Sequence, residues 1–93
     1  MDDKKPNRAV LKMLDILANH RGLEIVGRAG GMARYVGPSR HKLGRRAGAS
    51  RETVLAAERM GLVACVKSEG HFLCREYHYR ITRKGRKIVS LTR

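Results

Sequence analysis

Acidic residues and amide side chains are scarce in this sequence. Its 93 residues include 8 Asp and Glu against 21 Lys and Arg, which gives a formal net charge of +13. Such an excess favours polyanionic partners, with nucleic acid first and anionic membrane surfaces second. Gln is absent and Asn occurs only at positions 7 and 19. Scarcity of these thermolabile amides is one habit of thermophile proteins.

Long apolar runs and catalytic constellations are missing as well. No stretch approaches the ~20 apolar residues of a membrane-spanning helix, and the N-terminal MDDKK lacks the apolar segment of a secretory signal. We therefore predict a cytoplasmic protein with no membrane association. No acid pair, activated nucleophile or Cys-His dyad is evident, so we predict no enzymatic activity, no cofactor and no small-molecule ligand.

The length and the charge distribution indicate one domain with two kinds of surface. A chain of 93 residues, 42% hydrophobic, suits a single domain over 1–93 with a modest core. Residues 1–31 hold six bases and four acids, whereas residues 32–93 hold fifteen bases and four acids. This division favours a structural or dimerising first segment and a remainder that faces nucleic acid.

The first readable element is an amphipathic helix over residues 7–20. Asn7 is a plausible N-cap, and apolar residues recur at helical spacing after it. Met13 and Ile16 widen the apolar stripe, so either they lie at the core margin or they contact a second protomer. We predict a homodimer through this helix. Residues 21–39 are rich in glycine, and they permit a short helix over 23–29 followed by an extended piece at 34–36.

Residues 40–59 predict two short helices separated by a glycine turn. Ser39 can cap a helix over 40–47, Gly48 can close it with a positive φ, and Ser50 can cap the helix that follows. From Leu62 the period changes to two, and a turn at Glu69-Gly70 predicts a hairpin over 62–81. A helix over 82–91, capped by Thr82 with Gly85 in its first turn, completes the chain.

The run Leu43-Gly44-x-x-Ala47-Gly48-Ala49-Ser50-x-x-Thr53-Val54, followed by the hairpin and Ile81-Thr82-x-x-Gly85, resembles the winged helix-turn-helix transcription regulators of bacteria and archaea. The resemblance covers about residues 36–91. It implies an α+β fold with three to four helices and a two- to three-stranded antiparallel wing sheet. It also implies binding of double-stranded DNA, with the helix that starts at Ser50 in the major groove and the wing on the backbone or minor groove.

The predicted DNA contacts divide into positioning and base recognition. Arg51 is the first choice for a bidentate guanine contact, while Leu55 or Ala56 suits a thymine methyl group. The wing would approach the backbone or the minor groove. The complete sets are Ser50, Arg51, Glu52, Leu55 and Ala56 for bases; Arg40, Lys42, Arg45, Arg46 and Arg59 for phosphates; and Lys67, His71 and Arg75 for the wing.

The two cysteines fall on the two predicted hairpin strands. A register that pairs residues whose numbers sum to 139 places Cys65 opposite Cys74, which favours a disulfide between them. Two free thiols are the first alternative. The second is a zinc site with His71 and His78, although this register places His71 on the opposite face, and we therefore predict no metal site.

Two other functions fit the same composition. A charge of +13 on so short a chain also suits a chromatin-type packing protein or a ribosomal, RNA-binding protein that ignores base sequence. A third interpretation is that the hairpin or the first helix binds another protein and the charge only aids solubility. Competition between unrelated duplex DNA and structured RNA separates a DNA regulator from the second interpretation.

Overall fold

Three helices and five strands make up the described part of the chain. The computed structural model describes residues 6–28, 31–38, 48–71 and 74–92. The helices are α1 (Arg8–Asn19), α2 (Arg51–Arg59) and α3 (Arg83–Thr92). The strands are β1 (Glu24–Arg28), β2 (Ala33–Val36), β3 (Gly48–Ala49), β4 (Val63–Glu69) and β5 (Glu76–Ile81). The fold is therefore of the α+β class.

The strands form one antiparallel sheet in the order β3-β2-β1-β5-β4. The predicted winged helix-turn-helix with a two- to three-stranded wing sheet is therefore wrong, because five strands are joined in one sheet. The short helix predicted over 23–29 is instead the central strand β1. Ile25 and Val26 are both buried, one on each face of the sheet, so β1 lacks the alternation that marks a half-buried strand.

Gly48 has a different role from the one predicted. It lies in β3, where it pairs with Arg34, and its φ is not positive. A Cβ at this position would lie 2.8 Å from the carbonyl oxygen of Ala33, so glycine permits the close approach of β3 to β2. The predicted helix over 40–47 lies outside the described residues, and Gly48 does not form the predicted turn.

The hydrophobic core lies between the three helices and one face of the sheet. Asn7 Oδ1 accepts a hydrogen bond from the Val10 amide at 2.9 Å, which confirms Asn7 as the N-cap of α1. Met13 is 1% exposed, so it belongs to the core of its own chain. Each fully buried aliphatic side chain stabilises the fold by about 1.5–3 kcal/mol. The largest buried side chains are Val10, Met13, Leu14, Leu17, Ile25, Val26, Leu62 and Val63, of which all but Val26 belong to this core.

The β4–β5 hairpin does not have the predicted register. Cys65 pairs with Tyr79, whereas Lys67 pairs with His78, because a bulge shifts the register between Cys65 and Lys67. The last pair is Glu69 with Glu76, and residues 70–75 form the connection. A one-residue shift moves side chains to the other face, and Val66, which lies at this bulge, is 50% exposed.

Hydrogen bonds join the start of α3 to the segment that links α2 to β4. Thr82 Oγ1 donates to the Gly61 carbonyl oxygen at 2.6 Å and accepts from the Gly85 amide at 3.1 Å. The Thr82 amide donates to the Leu62 carbonyl oxygen at 3.0 Å. Gly85 is buried against the same Leu62 carbonyl. These contacts confirm Thr82 as the cap and Gly85 as a close-contact position.

Candidate nucleic-acid interface

The outer face of α2 contains most of the residues predicted to contact bases. Ser50 Oγ accepts from the Thr53 amide at 3.2 Å, which confirms Ser50 as the N-cap. Thr53, Val54 and Ala57 are buried, so helical geometry directs the opposite stripe outward. That stripe consists of Arg51, Glu52, Leu55, Glu58 and Arg59. Ala56 packs against the core margin instead, so it is less exposed than Arg51 and Glu52.

This outer face is balanced in charge. Arg51 and Arg59 stand beside Glu52 and Glu58, and all four are exposed. Glu52 lies in the first turn, where a carboxylate interacts favourably with the helix dipole, and Arg59 lies in the last turn, where a cation does. The stripe therefore offers individual hydrogen-bond donors and acceptors for base edges. The positive potential expected from the net charge of +13 must come from other parts of the protein.

Arginines on the outer face of the sheet are largely neutralised. Arg80 Nε donates to Glu24 Oε2 at 2.7 Å, and His78 Nδ1 lies 3.0 Å from Glu24 Oε1. On the neighbouring strands, Arg28 and Arg34 both donate to Glu76 Oε2 at 2.9 Å. These residues lie on the face turned away from the helices, because partners in an antiparallel sheet share a face. This face is held by ion pairs and offers little free positive charge.

The same ion pairs shift the acidity of both carboxyls. Burial raises the pKa of Glu24, but hydrogen bonds from Arg80 and His78 outweigh it and hold the pKa below its ordinary value of 4.5. Hydrogen bonds from Arg28 and Arg34 likewise lower the pKa of Glu76. Both carboxyls therefore stay ionised in the folded protein to a lower pH than in the unfolded chain.

Acidification should destabilise the protein through these two carboxyls. Their folded pKa values lie below the unfolded ones, so their contribution to stability is complete above the unfolded pKa and is lost as the pH falls through the folded values. We expect the melting temperature to fall on titration from about pH 6 to about pH 3, and to fall less steeply in the double variant Glu24→Gln/Glu76→Gln. Glu58→Gln, which removes an exposed carboxylate, should keep the wild-type slope. An unchanged slope in the double variant would contradict this assignment.

Of the predicted phosphate contacts, the structure describes only Arg59, whereas it describes all three predicted wing contacts. Arg40, Lys42, Arg45 and Arg46 lie outside the described residues. Lys67 shares the outer face of the sheet with its partner His78, and its Nζ lies 3.0 Å from Glu69 Oε1. His71 and Arg75 are exposed in the hairpin connection, where they line a hollow with Gly70 and Tyr77.

Cys65 and Cys74 are both exposed free thiols. The predicted disulfide is absent, because it assumed a turn at Glu69-Gly70, whereas the connection between the two strands spans residues 70–75. Tyr79 lies opposite Cys65, and Cys74 precedes β5 in the connection. His78 is on the other face of the sheet from Cys65, and the described residues contain no His, Cys, Asp or Glu group arranged to hold a metal ion.

A cluster of basic residues lies at the start of α3, and it is absent from the predicted contact residues. We call it the α3 basic cluster. It consists of Arg83, Lys84, Arg86 and Lys87, all of which are exposed and form no ion pair with any residue in the described ranges. A Cβ on Gly61 would lie 3.8 Å from Lys84 Cδ, so the cluster lies beside the C-terminal end of α2. The sequence RKGRK at residues 83–87 indicates a basic surface. The same stretch also fits the start of a helix capped by Thr82, which gives Gly85 a structural role.

The position of this cluster is unfavourable for the helix itself. The first turn of α3 holds no acid, and its amide groups form the positive end of the helix dipole. Each cation in such a turn costs about 0.3–1 kcal/mol. A binding partner that carries negative charge would offset this cost, which makes the cluster a candidate contact for phosphates.

Comparison with known proteins identifies no relative of this chain. No family model, curated protein or solved structure matches it. Within the described residues, none of the helices has the length and apolar character required to cross a membrane.

Proposed function

We propose that this protein is a cytoplasmic, double-stranded DNA-binding regulator of transcription that contacts base edges with α2 and phosphates with the α3 basic cluster. One observation supports the proposal: some basic residues form ion pairs with acids, whereas one cluster of them has no acidic partner in the described part of the chain. Arginines on the outer face of the sheet are paired with Glu24 and Glu76, whereas the α3 basic cluster has no acidic partner among the described residues. Binding to the phosphate backbone needs unpaired cations of this kind.

The dimensions of α2 suit such a contact. A helix of nine residues is about 13 Å long at a rise of ~1.5 Å per residue, and the major groove admits one helix. Arg51 supplies the bidentate donor for guanine, Leu55 supplies an apolar contact for a thymine methyl group, and Ser50 and Glu52 supply polar groups near the helix start. The α3 basic cluster, at the other end of α2, holds the backbone.

The proposal includes a homodimer that binds two half-sites. The dimer was predicted through α1, but Met13 lies in the core of its own chain and Ile16 is half-buried. The contact between protomers must therefore use the outer side of α1 around Ile16. Sedimentation equilibrium measures the mass directly, and half-sites about 34 Å apart are expected in the selected DNA.

Arg51→Ala should relax base preference at one position of the binding site. A bidentate arginine-guanine contact contributes about 1–3 kcal/mol of discrimination, so the ratio of affinities for the preferred and substituted base should fall by roughly 5- to 150-fold. The site is first found by selecting bound DNA from a random pool, and the ratio is then measured by competition. Arg59→Ala is the matched control. It should weaken binding to all DNA sequences equally. The slope of log affinity against log salt should decrease in magnitude by about 0.9. Failure of the random pool to yield a preferred sequence would reject sequence-specific regulation.

A second candidate function is binding to nucleic acid without base preference, as in a chromatin or ribosomal protein. The balanced charge on α2 favours it, because the largest group of unpaired bases among the described residues lies on α3, where they suit phosphates better than base edges. Equal affinity for unrelated duplex DNA and structured RNA, or co-sedimentation with ribosomes, would support this function over the first.

A further inference from the structure

A groove on the helix side of the sheet passes beside Tyr77 on β5. On one side of Tyr77, a pocket of about 170 Å³ between α2 and the sheet is lined by Gly27, Arg51, Leu55 and Tyr79, among other residues. On the other side, a more open hollow is lined by Gly70, His71 and Arg75. Tyr77 lines both, so the two hollows adjoin at this side chain, and we refer to them together as the groove.

Tyr77 is an exposed aromatic side chain on the face of the sheet that elsewhere packs against helices. It is 39% exposed, whereas Tyr79, two residues along the same face, is 7% exposed. The layer of helices therefore ends between these two tyrosines. An aromatic ring left uncovered in this position offers a surface on which another planar group can stack.

Gly27 keeps the floor of the groove open beside Tyr77. It pairs with Tyr77 across β1 and β5. Its φ is not positive, and an added Cβ would make only an ordinary contact at 3.9 Å with the Ala33 Cβ. Neither conformation nor packing therefore requires glycine, and glycine within a strand often marks a place where a ligand approaches closely.

The charges around the groove are positive. Arg51 lies on one side of Tyr77, and Arg75 lies on the other. Arg28 also lines the pocket, but its guanidinium is paired with Glu76. No described residue that lines either hollow is acidic. A stacking ring between two cations, over an apolar wall that includes Leu55, matches a nucleobase with a phosphate on each side.

We infer that this groove binds single-stranded nucleic acid, with an unpaired base stacked on Tyr77 and the flanking phosphates at Arg51 and Arg75. The bases of an intact duplex are stacked on one another and cannot lie on the ring, so this is a binding mode separate from the duplex contact proposed for α2 and α3. Arg51 and Leu55 are the two residues that both modes use, whereas Tyr77, Gly27 and Arg75 belong to the single-strand mode alone. The inference therefore stands or fails independently of sequence-specific duplex binding.

Substitutions at Tyr77 test the stacking contact. Affinities for labelled twelve-residue dT and rU oligonucleotides and for a duplex are measured by fluorescence anisotropy at low salt. Tyr77→Leu keeps an apolar side chain but removes the ring, and should weaken single-strand binding by about 10- to 100-fold. Tyr77→Phe should stay within about threefold of wild type, because the ring is kept. Both variants should retain duplex affinity, and the dT and rU arms identify whether DNA or RNA binds more tightly.

Two further variants test the groove itself. Gly27→Val projects a side chain into the pocket without changing charge or Tyr77, and valine is favoured in strands. It should weaken single-strand binding as Tyr77→Leu does, with an unchanged duplex affinity that also demonstrates a folded protein. Because the chain has no Trp, Tyr77→Trp introduces a single reporter whose emission should be quenched by the oligonucleotide.

Three results with the variants would overturn the inference. They are wild-type single-strand affinity in both Tyr77→Leu and Gly27→Val, an equal loss for single strand and duplex, and absence of quenching in Tyr77→Trp at saturating oligonucleotide. If the wild-type protein binds no single strand, the inference also fails, and the duplex measurement then decides the earlier proposal separately.

Discussion

Replacement of Arg83, Lys84, Arg86 and Lys87 by glutamine should weaken duplex DNA binding while leaving the protein at least as stable as wild type. The two effects have one origin, which is the placement of four cations at the start of α3. Without a partner these charges oppose the helix dipole, so their removal should raise the free energy of unfolding by about 0.3–1 kcal/mol for each charge in the first turn. With DNA present they neutralise phosphates, so their removal costs affinity.

The size of the loss follows from counterion release. Each phosphate neutralised on a duplex contributes about 0.9 to the slope of log affinity against log salt. Four lost contacts should lower the slope by roughly 3.6, which corresponds to a loss of about 10³-fold in affinity near 0.1 M salt. Titrations between about 50 and 200 mM salt measure the slope directly, and thermal unfolding in the absence of DNA measures stability.

A charge-conserving variant is the appropriate control. Exchanging lysine and arginine at the same four positions keeps every charge, so the salt slope should match that of wild type. The combination of higher stability and weaker binding distinguishes a binding surface from a structural one, because a structural role would lower both. Unchanged affinity in the glutamine variant would remove the α3 basic cluster from the interface.

Features that depend on neighbouring residues could be predicted from the sequence. The capping roles of Asn7, Ser50 and Thr82 each involve a hydrogen bond to an amide three residues away, so the signal lies within one turn of helix. The extended piece at residues 34–36 was also predicted correctly, and it is part of β2. In these cases the local chain determines its own conformation.

Features that depend on distant pairing could not be predicted. The strand β1 is buried on both faces because β2 and β5 flank it and the helices cover one side, and none of these neighbours is evident from the residues of β1 itself. The hairpin register differs from the predicted one because the connection spans residues 70–75, with a further one-residue shift at the bulge between Cys65 and Lys67. Cys65 therefore does not pair with Cys74. On α3, Val89 is buried in the core, whereas Leu91 is 71% exposed.

In the candidate site too, the features set by neighbouring residues could be predicted from the sequence, and those set by distant contacts could not. The outward position of Arg51 followed from the cap at Ser50 and the helical period, both of which are local. The groove at Tyr77 brings together Gly27 on β1, Arg51 on α2 and Arg75 in the hairpin connection. Because these residues are far apart in the sequence, no sequence motif predicts the groove. The α3 basic cluster was readable as a run of charge, but its place beside α2 depends on the contacts of Thr82 with Gly61 and Leu62.

Gly85→Val should be among the most destabilising single substitutions in this chain. A Cβ at Gly85 would overlap the Leu62 carbonyl oxygen and lie 2.8 Å from Ile81 Cγ1. The carbonyl cannot move aside freely, because it accepts a hydrogen bond from the Thr82 amide at 3.0 Å. We expect the free energy of unfolding to fall by about 3–4 kcal/mol, and the melting temperature by at least about 12 °C.

Gly31→Val provides the matched control, since a Cβ there would meet no atom of the described residues within 4 Å. Its melting temperature should stay within a few degrees of wild type, at about 0.5 kcal/mol or less of change. The contact at Gly85 also fixes where the α3 basic cluster lies relative to α2. Gly85→Val should therefore weaken duplex binding even at temperatures where the variant is folded, although no charge has been removed. Wild-type stability in Gly85→Val would mean that α3 can move away from the Leu62 carbonyl without a loss of folding free energy. The contact at Gly85 would then not fix the position of the α3 basic cluster beside α2.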